Sequence, residues 1–340
     1  MKQIRLICAA VAAAVVVFPV SPAGGGQAGK GPVKVFLLAG QSNMEGQAVV
    51  DLDHERYYNG GKGNLEHVLR DPDKGAMVAH LRGKDGTWVV RDDVWVWYKT
   101  EKSGLKKGGL GIGYAVYPGK HHFGPELQLG HVLGDYLDNQ VLLIKTAWGG
   151  KSLQKDFRPP SSGGEAGPYY RKMLAEAREA LAGLKKHFPA YDGSGYELAG
   201  FVWFHGWNDM CTPSAVPEYE QNLVHLIKDV RRELKAPNLP VVIGELGNGG
   251  RPAKGNMAKM RQAQAAAAAR PELRGTVTFV KTAEFARPAT ESPNVGHGHH
   301  WFGNAESYFL IGNALGEGMK KLLQADKKAL SGGGAKKPGS

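Results

Sequence analysis

A short run of β-branched and apolar residues that stops abruptly at glycine recurs along this 340-residue chain. Val33 to Ala39 ends at Gly40, Val141 to Ala147 at Gly149-Gly150, Leu198 to Phe204 just before Gly206, and Val241 to Leu246 at Gly247. Thr276 to Lys281 completes the set. Runs this short and this continuously apolar read as strands buried on both faces, and the glycines as tight turns. Helical periodicity fills the intervals over Tyr170 to Leu184, Val216 to Leu234, Met257 to Ala269 and Asn304 to Leu323. Strands that alternate with helices predict βαβ units and a parallel sheet covered on both faces, an α/β fold. In such sheets ligand sites form beyond the carboxyl ends of the strands.

Residues 48–130 break this rhythm. They are long, glycine-rich and aromatic, with alternating stretches at Thr87 to Val90 and Val94 to Tyr98, and read as an inserted β-rich hairpin region beside the site rather than an independent domain. Residues 1–23 have the form of a secretory signal. Lys2 and Arg5 precede an apolar stretch, Leu6 to Phe18, too short to span a bilayer, and Ser21-Pro22-Ala23 is a small-residue exit. The expectation is a secreted or periplasmic protein with no membrane span after the signal is removed, the alternative being an uncleaved anchor. Residues 24–32 read as a flexible spacer, 33–324 as one catalytic domain and 325–340 as a low-complexity, disordered tail.

Composition narrows the function. At 42% apolar and 22% charged residues the bulk of the chain is globular. The net charge of +11 is scattered, with no basic run interleaved with aromatics, so nucleic acid is not an expected partner. Cys8 and Cys211 are the only cysteines; with Cys8 in the leader, neither an internal disulfide nor a cysteine-based metal site is expected.

Three strand ends carry candidate chemistry. Val35 to Ala39 runs into Gly40-Gln41-Ser42-Asn43-Met44, which presents a serine hydroxyl at the opening of a helix, beside free backbone N–H groups. Taken alone, Ser42 reads more readily as an ordinary helix cap. Phe201 to Phe204 leads into His205-Gly206-Trp207-Asn208-Asp209, which brings a side-chain amide to the same sheet edge, where it can donate to a developing oxyanion. Ala147-Trp148-Gly149-Gly150 offers unobstructed backbone N–H groups as a second donor, without deciding between Gly149 and Gly150. A base working near neutral pH is best supplied by histidine, and Gly296-His297-Gly298-His299-His300-Trp301-Phe302 offers three.

Together, Gly40-Gln41-Ser42-Asn43-Met44, Gly206-Trp207-Asn208-Asp209 and a late histidine before a terminal helix resemble the SGNH hydrolase superfamily, specifically its sialate O-acetylesterase-like branch of carbohydrate acetylesterases. The resemblance spans residues 33–324. It implies a three-layer α/β/α sandwich with a flavodoxin-like sheet, a serine esterase that removes O-acetyl groups from a carbohydrate, and no cofactor. By the same resemblance Ser42 is the nucleophile, Gly150 (or Gly149) and Asn208 line the oxyanion hole, and His300 is the base. Gln41, His205, Trp207 and Trp301 are expected to bind substrate; His205 stands where related sequences tend to have glutamine.

One departure stands out. The family's acid three residues before the base is replaced by His297. The orienter of His300 is then Glu284 or Glu291 upstream, a backbone carbonyl, or nothing, leaving a Ser-His dyad. This departure also motivates a rival reading, a non-catalytic carbohydrate-binding protein; a lipase or thioesterase of the same superfamily is the third. The late histidines with His121, His122 and Glu126 have no metal-ligand spacing, and Lys145 stands where a phosphate loop needs its first glycine, so neither metal nor nucleotide binding is expected.

Overall fold

The computed structural model describes residues 31–332, so the leader expected over 1–23 and most of the spacer lie outside the described residues. The chain opens with β1 (Val33–Gly40), the one-turn helix α1 (Ser42–Glu45) and β2 (Ala48–Val49). The insertion follows, with short helices α2 (Glu55–Tyr58), α3 (Leu65–Arg70) and α4 (Gly75–Val78), the hairpin β3 (Arg91–Thr100) and β4 (Gly104–Leu110), and β5 (His122–Phe123), which pairs with β2. Alternation then resumes with α5 (Glu126–Tyr136), β6 (Val141–Ala147), α6 (Pro168–Ala182), α7 (Leu184–His187), β7 (Tyr196–Phe204), α8 (Trp207–Met210) and α9 (Tyr219–Glu233). It ends with β8 (Val241–Gly244), α10 (Gly255–Ala269), β9 (Val277–Val280) and α11 (Ala305–Gly332).

The main sheet has the order β4-β3-β6-β1-β7-β8-β9 and is parallel throughout, except that β4 runs antiparallel to β3. Its five strands from β6 to β9 have the flavodoxin order, with β1 central and the chain leaving it toward β6 on one side and β7 on the other. Central β1 shows why the sequence pattern is continuous rather than alternating. Val33, Val35, Leu37 and Ala39 face a core built with α6, α9 and α10, while Phe36 and Leu38 face a second core built with α5, α11 and the insertion's α3. Both faces are therefore dry, and the molecule is a three-layer sandwich.

The insertion differs from its sequence reading. Thr87 to Val90 forms no strand, only a bridge from Trp88 to Arg82, and the true partner of β3 is the glycine-rich β4, which extends the central sheet instead of standing apart. Gly-Leu-Lys-Lys-Gly-Gly-Leu has neither alternation nor β-branched residues, so the pattern concealed it. At the far end α11 continues to Gly332, so residues 325–332 extend the last helix where a disordered tail was expected. Among the described residues no helix is long and apolar enough to cross a membrane.

A buried ion pair fastens the insertion to the sheet. Lys145 of β6 is inaccessible to solvent, and its ammonium donates to Glu126 Oε2 at 2.7 Å, to the Glu45 carbonyl at 2.9 Å and to the Tyr114 carbonyl at 2.6 Å. Glu126 accepts in turn from the Gly124 N–H at 2.9 Å. Burial pushes the lysine pKa down, and Glu126 is the main influence opposing it. Replacing Lys145 by Met strands a buried carboxylate and is expected to lower the unfolding free energy by about 3–5 kcal/mol, while the double replacement with Glu126→Gln recovers much of that loss. Urea denaturation of the three proteins measures this; a single variant as stable as wild type contradicts it.

Candidate active site

The carboxyl ends of β1, β6 and β7 meet at one cleft of about 490 Å³, bordered by Ser42, Gly149, Gly150, Asn208, His299 and His300. Ser42 is the first residue of α1, and the turn that presents it needs glycine at position 40, because a Cβ there would lie 2.2 Å from the Phe204 carbonyl oxygen of β7. Gln41 precedes it in extended conformation, and the structure gives this residue a different task from the one expected. Its side chain is 1% exposed; it borders the cleft but is engaged by protein on both ends. Its Oε1 accepts the N–H groups of Gly206 and Asn208 at 3.3 and 3.4 Å, and its Nε2 donates to Asn208 Oδ1 at 3.0 Å. Gln41 thus holds the first and third motifs together and fixes which way the Asn208 amide points.

That amide turns its Nδ2 toward the glycine loop, where one hydrogen goes to the Gly150 carbonyl at 2.8 Å. An amide nitrogen has two hydrogens, so a second remains for a ligand. The same loop is held twice more. Asp209 accepts the N–H groups of Leu153 and Gln154 at 2.8 and 2.9 Å, and its pKa is raised to about 6 by burial against the pull of those two donors.

His205 is the third holder, and here the expectation of a substrate contact is corrected. The ring is 2% exposed and lies off the cleft. Burial lowers its pKa to about 4, so it is neutral, and a carbonyl can only accept; Nε2–H therefore donates to the Lys151 carbonyl at 2.8 Å. Nδ1 then accepts from the Tyr219 hydroxyl at 3.1 Å, whose oxygen takes the Trp203 indole N–H at 3.2 Å. A fully partnered buried imidazole is a strut, not a binding group.

The histidine loop is anchored from the motif at residues 40–44 itself. The His299 carbonyl accepts from Asn43 Nδ2 at 3.1 Å and Asn248 Nδ2 at 2.9 Å, and Asn43 Oδ1 accepts from the Tyr308 hydroxyl of α11 at 2.7 Å. His299 and His300 both border the cleft with ring centroids 4.0 Å apart, whereas His297 is exposed and does not. Burial, then the neighbouring His299 and His297, lower the His300 pKa to about 4. Trp301, expected on the wall, is corrected as well. Backbone φ values of +53° at Trp301 and +55° at Phe302 reverse the chain after His300, and the indole is 2% exposed inside the core packed against α11. Trp207 is half-buried and does border the cleft.

Neither upstream acid reaches His300. Glu284 pairs with Arg251 on the surface, and Glu291 borders a separate cleft. Among the described residues, none hydrogen-bonds to the His300 ring. The sequence reading gave no role to Asn43, Glu45 or Asn248. The first two stand inside or beside the quoted motif, and Asn248 follows Gly247 at a strand end, the same signal that singled out Asn208.

The family model for carbohydrate esterases, described as sialic acid-specific acetylesterase, matches residues 32–286. The chain belongs to this family. It is accordingly a carboxylic ester hydrolase of the group that deacetylates carbohydrates. The matched span carries Ser42, Gly150 and Asn208 and ends before the histidine loop. A probable carbohydrate esterase of Arabidopsis thaliana is 24% identical over 68% of this chain and 75% of its own. An Arabidopsis thaliana protein structure superposes with a TM-score of 0.54 at 16% identity, over 85% of this chain and 98% of that one. The crystal structure of NanS gives 0.51 at 14%, covering 89% and 99%. At these identities the two structures share the fold.

A buried imidazole without a carboxylate should titrate low. Observed by NMR, the His300 ring is expected to protonate with a midpoint near pH 4, so that it is neutral at all higher pH; a midpoint near the ordinary 6.5 contradicts the environment described.

Proposed function

We propose that the protein is a carbohydrate O-acetylesterase that works through an acyl-enzyme on Ser42. His300, neutral at working pH, takes the proton from Ser42 Oγ as that oxygen attacks the acetyl carbonyl. The backbone N–H groups of Ser42 and Gly150 and the second Nδ2 hydrogen of Asn208 receive the developing oxyanion. The imidazolium of His300 returns its proton to the departing sugar oxygen, and the same ring then draws a proton from the water that releases acetate. The observation that carries this reading is the meeting of Ser42, Gly150, Asn208 and the two late histidines at one cleft.

The substrate we infer is an acetylated sugar of the sialate or acetylxylan type. Trp207 and Tyr117, each half-buried at the cleft, are the aromatic side chains against which we place the sugar. Export rests on the leader-like residues 1–23 alone, and we place the activity outside the cytoplasm on that basis.

Acetate release from p-nitrophenyl acetate and from acetylated glycans tests the proposal. Ser42→Ala is expected to abolish turnover, and equal rates in variant and wild type reject the nucleophile. Asn208→Ala should lower kcat by about 10²- to 10³-fold, about 2.7–4 kcal/mol, through loss of one oxyanion donor. The missing carboxylate favours the rival binder, and calorimetry separates the two: tight glycan binding with no acetate released identifies a lectin-like protein. Activity that rises beyond short acyl chains marks a lipase or thioesterase instead.

A further inference from the structure

Residues after the third strand end hold the carboxyl side of the glycine loop, from the Gly150 carbonyl onward. On its amino side the glycine loop is met by the carboxylate of Glu45, which lies against Gly149 and attracts its N–H. Glu45 is one helical turn after Ser42, 8% exposed, and borders the floor of the cleft. A Cβ placed on Gly149 would lie 3.1 Å from Glu45 Oε2 and 3.6 Å from Ser42 Cβ, so Gly149 is boxed between the carboxylate and the nucleophile's side chain. The glutamate cannot drift with the end of its short helix, because its own carbonyl is held by the buried ammonium of Lys145 at 2.9 Å. Lys145 reaches outward from the sheet to the helix end and Glu45 reaches back to the loop, which ties β6 to α1 in both directions.

We propose that Glu45 is a positioning residue for ester hydrolysis. By drawing the Gly149 N–H toward its carboxylate it competes with the oxyanion for that donor and leaves the Gly150 N–H as the oxyanion donor of the loop. The glycine loop is then clamped between an acceptor on the nucleophile's own helix and the Asn208 amide on the next strand end. This inference rests on the acetylesterase reading, and it decides between the two glycines that the sequence left open.

The test uses the full chain with Glu45→Ala and Glu45→Gln. With p-nitrophenyl acetate, Glu45→Ala is expected to lower kcat by about 10- to 100-fold, with KM within about twofold, because a loosened donor costs transition-state stabilisation and little ground-state binding. Glu45→Gln should stay within about fivefold of wild type, since its amide oxygen accepts the same N–H. The Gly149 amide proton supplies a readout independent of turnover: its hydrogen-exchange protection is expected to fall in Glu45→Ala and persist in Glu45→Gln. Wild-type kcat in Glu45→Ala, a rise confined to KM, or unchanged Gly149 protection overturns the proposal. If Glu45→Ala fails to fold, Glu45→Gln decides: a kcat as low as that of an oxyanion-hole variant overturns it, and retained activity with retained Gly149 protection supports it. A wild-type protein inert toward every ester defeats the acetylesterase reading instead, and the exchange measurement still reports on the clamp.

Discussion

A lysine with no access to water must find acceptors within its own reach, and Lys145 finds them on three separate segments. The end of α1, which carries Ser42, the inserted region at Tyr114 and the first residue of α5 are drawn to one ammonium at the carboxyl end of β6. An unpaired charge there would cost several kcal/mol, so any conformation that loosens one segment exposes the other two to the same penalty. The consequence for chemistry is positional. The turn after β1, which must present a hydroxyl, is fixed at its far end by a charge-assisted bond as well as by the helix's own short ladder.

Around the cleft, the polar groups divide into those that reach a ligand and those that hold the first set still. His205, Asp209 and Gln41 belong to the second, and each is nearly devoid of solvent contact. Apart from the Tyr219 hydroxyl that His205 accepts, their hydrogen bonds end on backbone or on the Asn208 amide, so they determine where donors point without adding charge to the cleft. Preorganisation of this kind is what makes a hydrogen-bond donor worth more in a dry site than in water, since nothing has to reorient as charge develops.

The sheet was legible because its strands are dry on both faces and stop at glycine, and the motifs were legible because they sit at those stops. Legibility failed where it depended on which way a side chain turns. Adjacent residues leave a tight turn in different directions: Trp207 reaches the cleft beside Asn208, while Trp301, equally close in sequence to His300, is swung into the core by two successive left-handed residues that no local composition announces. His205 was read as a substrate contact from its place in the third motif, where related sequences tend to have glutamine, yet Tyr219, fourteen residues on and in another element, claims its ring. The hairpin partner β4 escaped because glycine and lysine carry no strand pattern, and its pairing is supplied by the neighbouring β3 rather than by its own propensity.

The replacement of the usual acid by His297 bears on how the chemistry is distributed. An imidazole that is partly withdrawn from water and has other imidazoles for neighbours keeps its neutral form to low pH, which makes it available as a base and also makes it a weaker one. In the proposed mechanism, when such a ring takes the serine proton, the positive charge it acquires has no carboxylate beside it, so the negative charge forming on the substrate oxygen is its nearest partner. A larger share of the barrier then falls on the donors that hold that oxygen. Under that mechanism a chain that gives up the acid has correspondingly strong reason to fix its glycine loop, and the density of side chains spent on residues 149–154 fits that requirement.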